Sequence, residues 1–180
     1  MRIVIDACVL YPTVMREMVL GAADQGLFDP IWSERILEEW ARAARKLGPD
    51  GEAQAQGDIA LLRAHWPGSE KPRDKALENR LWLPDDNDVH VLALAVSTSA
   101  DAIMTLNKKD FPKSVLMEEG LDRVEPDGFL YQLWQNNPEP IENVATGVLQ
   151  TARALSGEDW QMRALLKKAR LPRLAKALGS

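Results

Sequence analysis

A chain of 180 residues that is 46% hydrophobic and 27% charged fits one folded domain and excludes a disordered polymer. Its one cysteine, Cys8, excludes an intramolecular disulfide framework, and no apolar run approaches the roughly 20 residues of a membrane helix. The net charge of -5 is unevenly spread: residues 151–180 hold seven Lys or Arg against two acids, a net of +5, so the first 150 carry -10. An acidic body argues against a uniform nucleic-acid coat, yet a basic end can still meet a polyanion. The first residues read as a strand, not as a signal peptide, so a cytoplasmic protein is expected.

In chain order, Arg2-Ile3-Val4-Ile5 is a strand-like run that stops at Asp6. A helix is expected over 12–25, with Pro12 in its first turn. Residues 27–31 form a short strand candidate interrupted by Asp29-Pro30. Ser33 caps a helix over 34–47, where Ile36, Leu37, Trp40, Ala43, Ala44 and Leu47 recur at helical spacing before Gly48-Pro49 ends it. Glu39 falls beside that apolar stripe. An acid there needs a partner or a metal. Further helices are expected over 52–66 and 74–81.

The chain is organised around LPDDNDVHVLALAVSTSADAIMTLNKKDFP, residues 83–112. Three acids in four residues (Asp85, Asp86, Asp88) open a helix rich in Leu and Ala that starts near Asp88. Ala102-Ile103-Met104-Thr105 then reads as a buried parallel strand, with Asn107 and Asp110 just past its end. A weak strand lies near 121–124, a helix starts at Pro126, and Asn136-Asn137-Pro138-Glu139-Pro140 reads as a linker. Beyond it come helices over 141–155, 157–170 and 172–178, the second capped by Ser156 and the third opened by Pro172. Strands alternating with helices give an α/β fold with a parallel sheet, followed by an all-helical appendage.

In such sheets ligands sit beyond the carboxyl ends of the strands. Asp6, Glu39, Asp88 and Asp110 can converge there, and carboxylates that close raise one another's pKa or hold a cation. With two histidines and a distant cysteine, zinc of the N/S type fits poorly, whereas Mg²⁺ or Mn²⁺ takes oxygen ligands and serves hydrolysis at phosphorus. Singly, each residue has a plainer reading. Asp86 and Asp88 suit caps, Asp110 a turn, Glu39 a solvated helix face, His90 a structural hydrogen bond and Cys8 the core. The six tryptophans are scattered and read as core or interface residues, not as a base-stacking platform. An aspartyl phosphatase would need a second acid two residues after Asp6, where Cys8 stands.

Taken together, IVIDACVLYP, SERILEEW, LPDDNDVHVLALA and TLNKKDFP resemble the PIN-domain family, and within it the VapC-like toxin ribonucleases with a C-terminal helical extension. The resemblance implies a PIN-like parallel sheet sandwiched between helices over 1–136, with a small helical extension over 137–180. It implies a Mg²⁺- or Mn²⁺-dependent endoribonuclease acting on single-stranded RNA. By position, Asp6, Glu39, Asp88 and Asp110 are its catalytic acids, and Asp86 and Asn107 join them as metal ligands. Asn107 stands where many members have an aspartate, and Asn107 with Asp110 matches the N-x-x-D-F of a subset. A carboxamide can ligate but brings no charge. A cognate antitoxin and a homodimer are the partners the resemblance implies. The alternative is a noncatalytic PIN-like scaffold that binds RNA or a protein.

Overall fold

The structure is a computed structural model and describes residues 1–179. Four short strands, β1 (Arg2–Ile5), β2 (Asp29–Ile31), β3 (Ala102–Met104) and β4 (Asp122–Val124), form one parallel sheet in the order β2-β1-β3-β4. In register, Ile3 faces Pro30 on one side and Ala102 on the other. Ile3, Val4, Ile5, Ala102, Ile103 and Met104 are fully buried, as continuous apolar runs in a parallel sheet should be. Pro30 does not interrupt β2. As an edge strand, β2 has a side where a missing N–H costs no ladder bond.

The order of the strands places the site. From β1 the chain goes first to one side, to β2, and later to the other, to β3. The connections therefore diverge at the carboxyl ends of β1 and β3, where open α/β sheets leave a crevice. Asp6 and Thr105 are the first residues past those ends.

Among the described residues there are eleven helices. In the first half they are α1 (Ala7–Leu10), α2 (Thr13–Asp24), α3 (Glu34–Ala44), α4 (Pro49–His65), α5 (Lys75–Arg80) and α6 (Val89–Ser97). Ser33 caps α3 as expected, its Oγ accepting the Ile36 N–H at 3.2 Å. The last turn expected for this helix tightens into a 3-10 turn, Arg45–Leu47. Helix α4 begins at Pro49, three residues earlier than expected, with the proline in its first turn. Helix α6 is buried on nearly every side from Val89 to Ala95 and packs on β1 and β3. That explains a sequence with no polar face to read.

The second half holds α7 (Lys113–Glu118), α8 (Pro126–Asn136), α9 (Pro138–Ser156), α10 (Met162–Lys168) and α11 (Pro172–Leu178). Here two expectations fail. The linker shrinks to Asn137, because Pro138 opens α9 instead of keeping the chain extended. Ser156 is the last residue of α9 and not the cap of α10, whose N-cap position is Gln161. The Ser156 hydroxyl donates back to the Ala152 carbonyl at 2.7 Å.

The chain divides into two compact units, each built from separate stretches. One comprises Met1–Tyr11 and Asp29–Arg123, the other Pro12–Phe28 and the chain from Val124 onward. The second unit therefore recruits α2, and its bounds are not those of a cut between 136 and 137. In it, α2 packs on α9 and α8, and α11 on α8 and α10. None of the described helices is long and apolar enough to cross a membrane.

Candidate metal centre

All the acids singled out above lie in the first unit. Asp6 ends β1 and is tied to β3 through its backbone N–H, which donates to the Met104 carbonyl at 3.0 Å. Its buried carboxylate is held on both oxygens. Oδ1 accepts the Ala7 N–H at 2.8 Å and thereby caps α1, while Oδ2 accepts the Thr105 hydroxyl at 2.8 Å and the Cys8 thiol at 3.3 Å. Burial leaves the Asp6 carboxyl raised above its ordinary range, although these three donors offset part of the effect. Burial, followed by the charge of Asp6, pushes the Cys8 thiol up to about 12. The sulfur is thus a donor to Asp6, not a nucleophile.

Glu39 projects from the second turn of α3, one residue before the buried Trp40. Its Oε1 accepts from His90 Nε2 at 2.7 Å and from Arg35 Nε at 3.4 Å. The His90 side chain is 1% exposed and its Nδ1 has no partner, whereas the Glu39 side chain is 25% exposed. A buried ring thus aims a half-open carboxylate.

The remaining acids come from two loops. Asp85 ends an extended segment, and its Oδ1 accepts the Asn87 N–H at 2.9 Å, capping the 3-10 turn Asp86–Asp88 that leads into α6. Single oxygens of Asp85, Asp88 and Asp110 lie within 4.8 Å of one another. Asp88 is pushed up to about 7, first by burial and then by the charges of Asp6, Asp85, Asp110 and Glu39. Five carboxylates therefore repel one another around Asp88, and the cheapest relief is a hard cation with oxygen ligands.

Asp110 is positioned by its own loop. Asn107 Nδ2 donates to Asp110 Oδ2 at 2.7 Å, and Asn107 Oδ1 accepts the Asp110 N–H at 3.4 Å. The Asn107 N–H donates to Thr105 Oγ1 at 3.0 Å, which links this loop to Asp6. From the far side, Arg123 Nη1 donates to the carbonyls of Lys108 (3.1 Å) and Phe111 (2.8 Å), and Phe111 is fully buried. Neither end of the loop is free to swing.

Of the residues read from sequence, Asp6, Glu39, Asp88 and Asp110 come together. Asn107 lies at the site but turns both side-chain atoms to Asp110. Asp86 is not among the three acids whose oxygens group, and Asp85 takes that place. Asp85 was hidden among three acids in four residues. Its signal was an acid followed two residues later by a backbone N–H in a tight turn, the geometry of an Asx cap. The pairing of His90 with Glu39 spans 51 positions and left no local trace. Residues 2–109 match the model of the PIN domain family. No curated protein and no solved structure matches the chain.

Proposed function

The chain belongs to the PIN domain family, and on that footing we propose that it is a metal-dependent endoribonuclease hydrolysing RNA phosphodiesters, the toxin of a type II toxin–antitoxin pair. One observation carries the reading. Asp85, Asp88 and Asp110 offer oxygens within 4.8 Å of one another, with Asp6 and Glu39 adding their charge at Asp88. These oxygens would suit Mg²⁺ or Mn²⁺, which Asp85, Asp88 and Asp110 would hold, with Asp6 and Glu39 as the neighbouring acids. A divalent ion bound there supplies a Lewis acid for the phosphodiester and for the attacking water.

The protein's own share is to hold this set in place. Thr105, Cys8 and the Ala7 amide fix Asp6, His90 fixes Glu39, and Asn107 with Arg123 fixes the loop of Asp110. Such fixed anions lose little freedom when a cation and a phosphate arrive. The Asp88 carboxyl, at about 7, carries the proton that a cation displaces.

A toxin of this kind works against a cognate antitoxin, and the resemblance to VapC-like ribonucleases supports that partner, together with a homodimer. The test is incubation of the antitoxin-free chain with mixed RNA in Mn²⁺ or Mg²⁺, beside an EDTA control and Asp6→Asn. Cleavage is expected to need the metal and to fall by at least about 100-fold in the variant. Undiminished cleavage by Asp6→Asn sinks the assignment. A chain that neither cleaves nor binds the ion is the noncatalytic scaffold.

A further inference from the structure

The second unit carries a recess that the acidic centre does not use. Helix α8 sets Tyr131 and Trp134 at i, i+3, so both rings share a face. Their centroids are 5.7 Å apart and their planes tilted by 31°. Helix α11 meets that face with Arg173, Lys176 and Ala177. Asp127, in the first turn of α8, locks the two helices together by accepting the Arg173 and Leu174 N–H groups at 2.9 and 3.0 Å. Between them opens a cavity of about 530 Å³ lined by these two aromatic residues, Arg173, Lys176 and Ala177.

The chemistry of the lining narrows the occupant. The Arg173 guanidinium lies 5.1 Å over the Tyr131 ring, so a cation already covers one face of that ring and the Trp134 face is the one left for stacking. Trp134 Nε1–H is already engaged by Glu142 Oε1 at 3.1 Å, so the indole presents a face and no donor. An acidic peptide would satisfy the two cations and leave the rings unused. An apolar helix would bury the rings but strip water from the cations. A nucleotide satisfies both, being a flat π-system joined to a phosphate. The segment that supplies α11 is basic, with seven Lys or Arg against two acids over 151–180.

We propose that this recess binds an unpaired nucleotide of single-stranded RNA, its base stacked on Trp134 beside the Arg173–Tyr131 pair and its phosphate held by Arg173 and Lys176. The inference rests on the RNA reading above. No lining group reads a base edge, so the site tolerates any base but requires one.

The test uses the full chain in EDTA, where nothing is cut, and follows the anisotropy of a labelled 12-nucleotide RNA. Trp134→Ala is expected to weaken binding about tenfold, and Trp134→Phe to restore most of it. Wild type and Trp134→Ala bind an abasic 12-mer equally. Lys176→Glu weakens binding to the intact and abasic strands alike and lowers the salt slope by about one. Wild type that ignores RNA overturns the site, as does unchanged affinity in both Trp134→Ala and Lys176→Glu. Loss of abasic binding in Trp134→Ala overturns base stacking, and loss of binding to a coexpressed antitoxin with RNA affinity intact reassigns the recess to protein. Cleavage in Mn²⁺, run in parallel, separates the two readings. Recess-dependent binding without metal-dependent cleavage fails the nuclease and keeps the site, whereas cleavage with recess-independent binding does the reverse.

Discussion

Asp88 shows what the site costs the folded chain. Its carboxyl stands at about 7 against an ordinary 3.8, because burial and four neighbouring acids disfavour the anion. Between those pH values the folded state keeps a proton that the unfolded state has released. Without a cation, this residue's contribution to stability is whole below about pH 4, declines as pH rises, and is gone above about pH 7. Asp88→Asn removes the repulsion, so at pH 8 in EDTA it is expected to raise Tm by about 2–4 °C, equivalent to about 1 kcal/mol. The same variant should lose most of the stabilisation that Mg²⁺ or Mn²⁺ gives the wild type. Differential scanning calorimetry with and without the ion reads both effects, and a lower Tm in EDTA would count against the crowded-anion account. At this scale the sequence was informative where a residue's role is local. Asp6 and Asp88 each stand at the end of a recognisable element, Asp110 lies in the loop just past β3, Ser33 caps α3 and Glu39 keeps its place on it. Asp85 and His90 matter through neighbours that only the fold supplies.

At the level of elements, β1 and β3 were legible because buried parallel strands are continuous apolar runs, and α6 because its start is marked by acids; β2 and β4, short and carrying Asp and Arg, gave only faint signals. The failures were at prolines and serines, which have two meanings each. Pro138 and Pro140 read as extended linker, yet Pro138 stands at the first position of α9, where its missing N–H is not needed. Ser156 fits a cap by type, but α9 runs on to it and ends at Gly157, whose φ of 70° suits glycine. The contact of α2 with α9 was invisible, since it depends on Gly21 having no side chain. A Cβ placed there would lie 2.4 Å from Val144 Cγ1. Gly21→Ala is therefore expected to destabilise the chain by about 1–3 kcal/mol in a urea melt, with Val144→Ala restoring much of the loss in the double variant. Additive losses in the pair would mean that the two helices do not meet at these residues.

For the whole molecule, the C-terminal helices do more than extend a finished domain. In the second unit, Ile141, Val148, Leu165, Leu166, Leu171 and Leu174 are buried, each worth about 1.5–3 kcal/mol of transfer free energy. Their sum is comparable with the roughly 5–15 kcal/mol by which a domain is stable. A chain ended after residue 136 is expected to lose its sigmoidal thermal transition or to aggregate. Recovery of a soluble 1–136 chain melting within about 5 °C of the full one would contradict this. The charge division read from composition persists in the fold, since the acidic centre belongs to one unit and the basic helices to the other. The aromatic recess escaped the sequence because Tyr131 and Arg173 are far apart along the chain, and because scattered aromatics gave no pattern.

The interleaving of the two units also sets an order of events at the ribosome. Helix α2 is complete at Asp24, but α9, on which it packs, ends only at Ser156. At about 5–20 residues per second, α2, whose Gly21 abuts Val144, waits roughly 7–26 s for α9 to be complete. Every acid of the candidate centre has by then been synthesised, the last of them at position 110. The nascent chain thus carries a full set of cation ligands while α2 still lacks its cover, a window in which a chaperone or a partner synthesised alongside can reach it first.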